Sequence, residues 1–229
     1  MDATTAYGGS GTSERVAALQ GTTRKLATEL IGSFIFYFTI YFAVRSGSTL
    51  APLAIGSILM VMVFAGGHIS GAHFNPAVTT AVLVRGRIDP AEAVGYWIAQ
   101  LAAGVLAALT VNGMIGPAPV SPSYVVLHGM GPVFVAELIF TFALTYVVLN
   151  VATSKDNENN SFYGLAIGFT IFCGAVAVGG ISGGVFNPAV YLGGAFMNLF
   201  PTTWIYPVAE LAAGVLAGLV FRALNPTDK

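Results

Sequence analysis

Two copies of Phe-Asn-Pro-Ala-Val, at 74–78 and 186–190, place groups able to bind a polar solute inside apolar sequence. The asparagine amide carries both donors and an acceptor, and the proline after it has no N–H of its own. Asparagine is a preferred N-cap and proline a preferred first helical residue, so each Asn-Pro pair marks the abrupt start of a helix at its positive end. Asn75, Pro76 and Ala77 form one candidate box, and Asn187, Pro188 and Ala189 the other. Each box is preceded by a Gly-rich run, "GGHISGAH" or "GGISGGV", expected to be non-helical backbone presenting carbonyl acceptors. These groups suit binding and passing a polar solute. No nucleophile–base pair and no metal set emerges, so neither a catalytic residue nor a cofactor is expected.

The ionisable residues fit the same picture. Glu29, Glu137 and Glu210 fall in apolar stretches without a basic neighbour. Such groups either couple protons in a transporter or accept hydrogen bonds from backbone N–H groups left unpaired by buried irregular segments. The second role is preferred, because Glu29 and Glu137 lie at matching places in the two halves of the chain. His68 and His73 flank the first Gly-rich run, where no cysteine or carboxylate joins them as a metal ligand, and are assigned to support or lining of that segment. Cys173, the single cysteine, is expected to be a buried apolar thiol, and His128 a solvated loop residue.

The elements that must position these groups follow from composition. The chain is 55% hydrophobic and 8% charged, with mean hydropathy +0.78, against about 25% charged residues in a soluble domain. It is therefore expected to lie in a lipid bilayer. Six stretches are long enough to cross, at Leu26–Val44, Leu50–Ala65, Ala91–Met114, Val133–Ala152, Phe162–Val178 and Trp204–Leu224. With the N-terminus in the cytoplasm, Arg15, Arg24, Lys25, Arg85, Arg87, Lys155, Arg222 and Lys229 share that side and Arg45 alone is outside, so both termini are expected to be cytoplasmic, in the plasma membrane.

Internal repetition supplies the topology. "ISGAHFNPAV" at 69–78 matches "ISGGVFNPAV" at 181–190, and "YWIAQLAAGVLAAL" at 96–109 matches "YPVAELAAGVLAGL" at 206–219. Two units of three spans each must enter from opposite faces, as inverted repeats. The apolar runs after the boxes, Pro76–Val84 and Pro188–Phe200, cross only half a bilayer, and inversion brings their starts together near the midplane. The expectation is an all-α membrane protein of six transmembrane helices and two re-entrant half-helices. It divides into a tail (1–25), a first repeat (26–114), an outer connection (115–132), a second repeat (133–224) and a second tail (225–229). Non-helical backbone at that depth is tolerated only inside protein or along water, which makes the boxes a pore lining.

With paired "HFNPAV" and "VFNPAV" boxes, a duplicated set of spans and a glutamate early in each half, the sequence resembles the aquaporin or major intrinsic protein family over about residues 25–224. The resemblance implies a homotetramer with one pore per protomer, passing water or small neutral solutes in single file and excluding ions. It implies no nucleic-acid partner. Asn75 and Asn187 match the family's central asparagines. At the family's outer constriction the matching positions are Ile55, Ala175, Gly184 and Val190, all apolar, where most members carry an arginine at the place of Val190. Some plant vacuolar members, which pass a broader set of solutes, are similar in having valine there. Ammonia, hydrogen peroxide, urea or glycerol then join water as candidate solutes. The alternatives are a proton-coupled secondary transporter and a structural membrane protein on the same fold.

Overall fold

The structure, a computed structural model, describes residues 9–118, 124–200 and 203–228, with side chains from Leu19 onward. Among the described residues all regular structure is helical. In chain order the helices are α1 (Gly9–Ser46), α2 (Ala51–Ser70), α3 (Pro76–Arg85), α4 (Pro90–Ile115), α5 (Tyr124–His128), α6 (Met130–Ala152), α7 (Tyr163–Ser182), α8 (Pro188–Phe196) and α9 (Ile205–Leu224). Six of them, α1, α2, α4, α6, α7 and α9, are long and apolar enough to span a bilayer. At 10 and 9 residues, α3 and α8 reach about 15 Å, half of the hydrocarbon thickness.

Three boundaries differ from the sequence expectation. Residues 1–8 of the expected tail lie outside the described residues, and from Gly9 the backbone is already helical and runs unbroken into the first span. The Gly-rich runs stay helical as far as Ser70 and Ser182, leaving only 71–75 and 183–187 irregular. The reason is that each N–H released from a helix inside the protein must find a new acceptor, so the helix is kept up to the point where the buried glutamates Glu29 and Glu137 take over the following N–H groups, and it ends there on a glycine with left-handed backbone. Gly71 (φ 84°) and Gly183 (φ 90°) are those residues, and each N–H bonds back into the last turn, to Gly67 O and Gly179 O. The connection 115–132 contains α5, while its residues 119–123, like Lys229 of the second tail, lie outside the described residues.

Packing interlocks the halves. Within a repeat, α1 packs on α2 and α4, and α6 on α7 and α9, but half-helix α3 lies against α9 and half-helix α8 against α4, each reaching into the other repeat. Glycine makes this possible. A Cβ on Gly104 would meet Ala189 O and one on Gly214 would meet Ala77 O, so each box passes backbone to backbone against the third span of the opposite repeat. Gly56 and Gly168 do the same where α2 crosses α7. Cys173, expected to be buried, is exposed on α7: a span packs on its neighbours along only part of its surface, and an apolar thiol suits the rest as well as it suits a core.

Candidate functional site

Asn75 and Asn187 sit just before the starts of α3 and α8. Both have extended backbone (φ −165° and −158°), and both side-chain oxygens accept the N–H two residues on, Ala77 at 2.8 Å and Ala189 at 3.0 Å. With Oδ1 used as a cap, the Nδ2 groups donate across the molecular midline. Asn75 bonds Phe186 O at 2.8 Å and Asn187 bonds Phe74 O at 3.0 Å. An amide NH₂ has two hydrogens, so each Nδ2 can donate beyond its cross-repeat bond, and that of Asn187 also reaches Tyr37 Oη at 3.4 Å. Pro76 and Pro188 begin their helices, and Ala77 and Ala189 are fully buried where the opposite spans approach.

Phe74 (φ 46°) and Phe186 (φ 48°) hold left-handed backbone, a cost of roughly 1–2 kcal/mol for an L residue. Buried carboxylates fix it. Glu29 Oε1 accepts Ser70 Oγ (2.7 Å) and His73 N–H (2.9 Å), and Oε2 accepts Phe74 N–H (2.8 Å) and Gln100 Nε2 (2.8 Å). Glu137 accepts Val185 N–H (3.1 Å) and Phe186 N–H (2.8 Å), and Glu210 accepts Asn187 N–H (3.1 Å). Tyrosines complete the cradle: Tyr37 Oη donates to Phe74 O (2.8 Å), Tyr96 to Ser70 O (2.7 Å) and Tyr206 to Ser182 O (2.8 Å). Tyr37 carried no sequence signal beyond polarity within an apolar stretch, whereas Tyr96, Gln100 and Tyr206 lie in the matched repeat stretches 96–109 and 206–219 without being marked there as supports.

Two cavities that share His73 lie between one face of the protein and Asn75. On the face bearing Lys25, Arg87 and Ser154 a vestibule of about 1080 Å³ opens, reaching down to His73. His73 also lines the next cavity, which narrows to about 10 Å³, room for roughly one water molecule. Its wall is apolar on most sides, from Phe36, Leu59, Leu144, Val148, Ile167 and Ile171, with His73 and Asn75 supplying polarity from the re-entrant side. The His73 ring is held by Thr79 Oγ1 at 3.1 Å and edge-on to Tyr96, ring centres 5.1 Å apart. His68 is exposed in the last turn of α2, because the helix continues past it, and it lines the vestibule.

Of the four residues matched to the outer constriction, Ala175 and Gly184 are adjacent. A Cβ on Gly184 (φ 63°) would lie 3.3 Å from Ala175 Cα, which places these two side by side. Val190 is buried in the first turn of α8, its carbonyl accepting Tyr41 Oη at 3.0 Å, and Ile55 is buried on α2.

At the basic face a long-range network closes the bundle. The Arg85 side chain, 1% exposed at the end of α3, donates to Thr153 Oγ1 (2.7 Å), Thr153 O (3.0 Å) and Asp228 Oδ1 (2.8 Å), and lies over the Phe221 ring. Asp228 also receives Arg87 (3.2 Å) and the Lys155 N–H (3.0 Å). Burial works against the Asp228 charge, but the hydrogen bonds from Arg85, Lys155 and Arg87 and the Arg85 charge outweigh it and hold the carboxyl below the usual carboxylate range. Arg85 had counted only toward orientation. Among the described residues no cluster of histidine, cysteine and carboxylate side chains could hold a metal ion.

Comparison with known proteins agrees with this geometry. The family model described as major intrinsic protein matches residues 45–221. The glycerol uptake facilitator protein-like 6 of Lactiplantibacillus plantarum is 35% identical over 216 residues, covering 90% of this chain and all of the relative (100%). The probable aquaporin NIP4-2 of Arabidopsis thaliana is 35% identical over 221 residues, 90% of this chain and 76% of the relative. The aquaglyceroporin of Plasmodium falciparum, at 23% identity, superposes with a TM-score of 0.75 over 90% of this chain and 96% of its own, and shares the fold. This multi-pass integral membrane protein belongs to the major intrinsic protein family.

Proposed function

We propose that the chain is a passive channel that passes water and other small neutral solutes in single file between its two Asn-Pro-Ala boxes. The observation that carries this is the pair of asparagines, each capping a half-helix and bonded to the opposite loop, with Asn75 lining a cavity that has room for about one water. A row of acceptors and donors along one side of an otherwise apolar tube replaces hydration without trapping the solute. Two helix N-termini at the same level disfavour cations and hydronium. Glu29 and Glu137 act as loop supports rather than proton carriers, since their oxygens are occupied by N–H and O–H donors.

Selectivity is assigned to Ile55, Ala175, Gly184 and Val190 as an apolar outer constriction without a guanidinium. Such a ring sorts by width and by backbone carbonyls, and it admits ammonia, hydrogen peroxide, urea or glycerol beside water. Relatives named both for glycerol uptake and as aquaporins support a range of this kind. The functional assembly is proposed to be a homotetramer in the plasma membrane with one pore per protomer. Residues 26–114 and 133–224 form the two inverted units, and both termini are cytoplasmic, where Arg24, Lys25, Arg85, Arg87, Lys155 and Arg222 gather. The test is a panel of these solutes in proteoliposomes measured by light scattering, with and without ionophores. Uptake indifferent to ion gradients and non-saturating supports the channel, and uptake that needs a gradient marks a coupled transporter.

A further inference from the structure

The two repeats hold their re-entrant segments with different chemistry at one equivalent position. In the first, Gln100 donates its amide to the Glu29 carboxylate at 2.8 Å. Aligning "YWIAQLAAGV" with "YPVAELAAGV" puts Glu210 at the place of Gln100. Glu210 Oε1 accepts the Asn187 N–H at 3.1 Å, but its Oε2 is buried and finds no donor. The group beside it is the Glu137 carboxyl, itself an acceptor of two N–H bonds. No salt bridge among the described residues includes either carboxyl. Tyr206, one turn earlier on α9, already donates to Ser182 O.

Two adjoining carboxylates in an apolar interior cannot both ionise, and an ionised pair has no hydrogen to place between them. We propose that Glu210 carries a proton and donates it to Glu137, so that a neutral acid does for the second re-entrant segment what the Gln100 amide does for the first. The charge stays on Glu137 because that group accepts two N–H bonds and Glu210 only one. Glu210 is thereby a positioning residue for the second box: one oxygen fixes Asn187, and the other ties it to the carboxylate that fixes Val185 and Phe186. Its effect on flux rests on the channel reading, while the proton itself does not.

The test is infrared spectroscopy of the full-length protein in lipid at neutral pH, with and without ¹³C-labelled glutamate. The expected result is a C=O stretch of a buried protonated carboxylic acid that shifts on labelling and is lost in Glu210→Gln. Glu210→Gln should also keep more water permeability than Glu210→Leu, which can neither donate nor accept. Absence of a label-sensitive acid band in the folded parent, or its persistence in Glu210→Gln, overturns the proposal. If the glutamine variant does not fold, absence of the band from the labelled parent still overturns the proposal, and so does its loss in Glu29→Gln, which should keep a band that belongs to the Glu137–Glu210 pair. A band that is present in a protein without flux would retain the proton and reject the channel.

Discussion

Asn75 and Asn187 each donate to the carbonyl of the residue before the other, Asn75 Nδ2 to Phe186 O at 2.8 Å and Asn187 Nδ2 to Phe74 O at 3.0 Å. The bond fixes the register of the two half-helices and aligns their positive ends. Aspartate at either position keeps an acceptor for the cap but loses the donor for the cross-bond, and brings a negative charge to the level where the helix ends repel cations. We expect Asn75→Asp combined with Asn187→Asp to leak cations or to fail to assemble. A double variant that assembles, conducts water and stays as cation-tight as the parent in a vesicle flux assay would count against the electrostatic role.

Gly104 and Gly214 offer a packing test. A Cβ at either position meets a backbone carbonyl of the opposite box, and overpacking of this kind costs about 1–3 kcal/mol. Gly104→Ala and Gly214→Ala should lower thermal stability and reduce water flux together. Gly113→Ala, on the same helix α4 as Gly104 but with nothing within 4 Å of the added carbon, is the control and should be neutral or slightly stabilising.

What the sequence made legible was local. Asn-Pro announces a helix start whatever surrounds it, and apolar length announces a span, so the six crossings and the starts of α3 and α8 follow from adjacent residues. The meeting of the two boxes follows from inversion, but the packing around them does not: nothing beside Gly104 or Gly214 shows that the crossing partner is a half-helix of the other repeat. "GGHIS" reads as a helix breaker by intrinsic propensity, yet it stays helical, with the turn delayed to Gly71, whose N–H closes on Gly67 O. Arg85 and Asp228 meet across most of the chain, and nothing near either residue marks the other as its partner.

The Asp228 network has a pH signature. A carboxyl held below its ordinary range stabilises the fold above its unfolded pKa of about 4, and that contribution is lost as pH falls through the folded value. Thermal melts from pH 7 downward should show the parent more stable than Asp228→Asn at neutrality, with the difference kept to about pH 4 and closing only in stronger acid. A difference that is constant throughout the acid range would remove the charge from the explanation.

Val190→Arg tests the outer constriction. A guanidinium there adds always-charged donors and bulk to a ring assigned to Ile55, Ala175 and Gly184. Urea and glycerol flux should fall proportionally more than water flux, with assembly checked independently because a buried guanidinium needs acceptors. An assembled Val190→Arg that keeps the parent's ratio of solute to water flux places Val190 outside the constriction.

The central claim is a continuous single file past Asn75 and Asn187, and osmotic water permeability measures it most directly. Stopped-flow shrinkage of proteoliposomes across a range of temperatures should give a permeability well above that of empty liposomes. Its activation energy should be low, near that of water moving in bulk, and collapse of any ion gradient should leave it unchanged. Folded, inserted protein whose vesicles shrink at the rate of bare lipid, with the high activation energy of diffusion through the bilayer, would contradict the account.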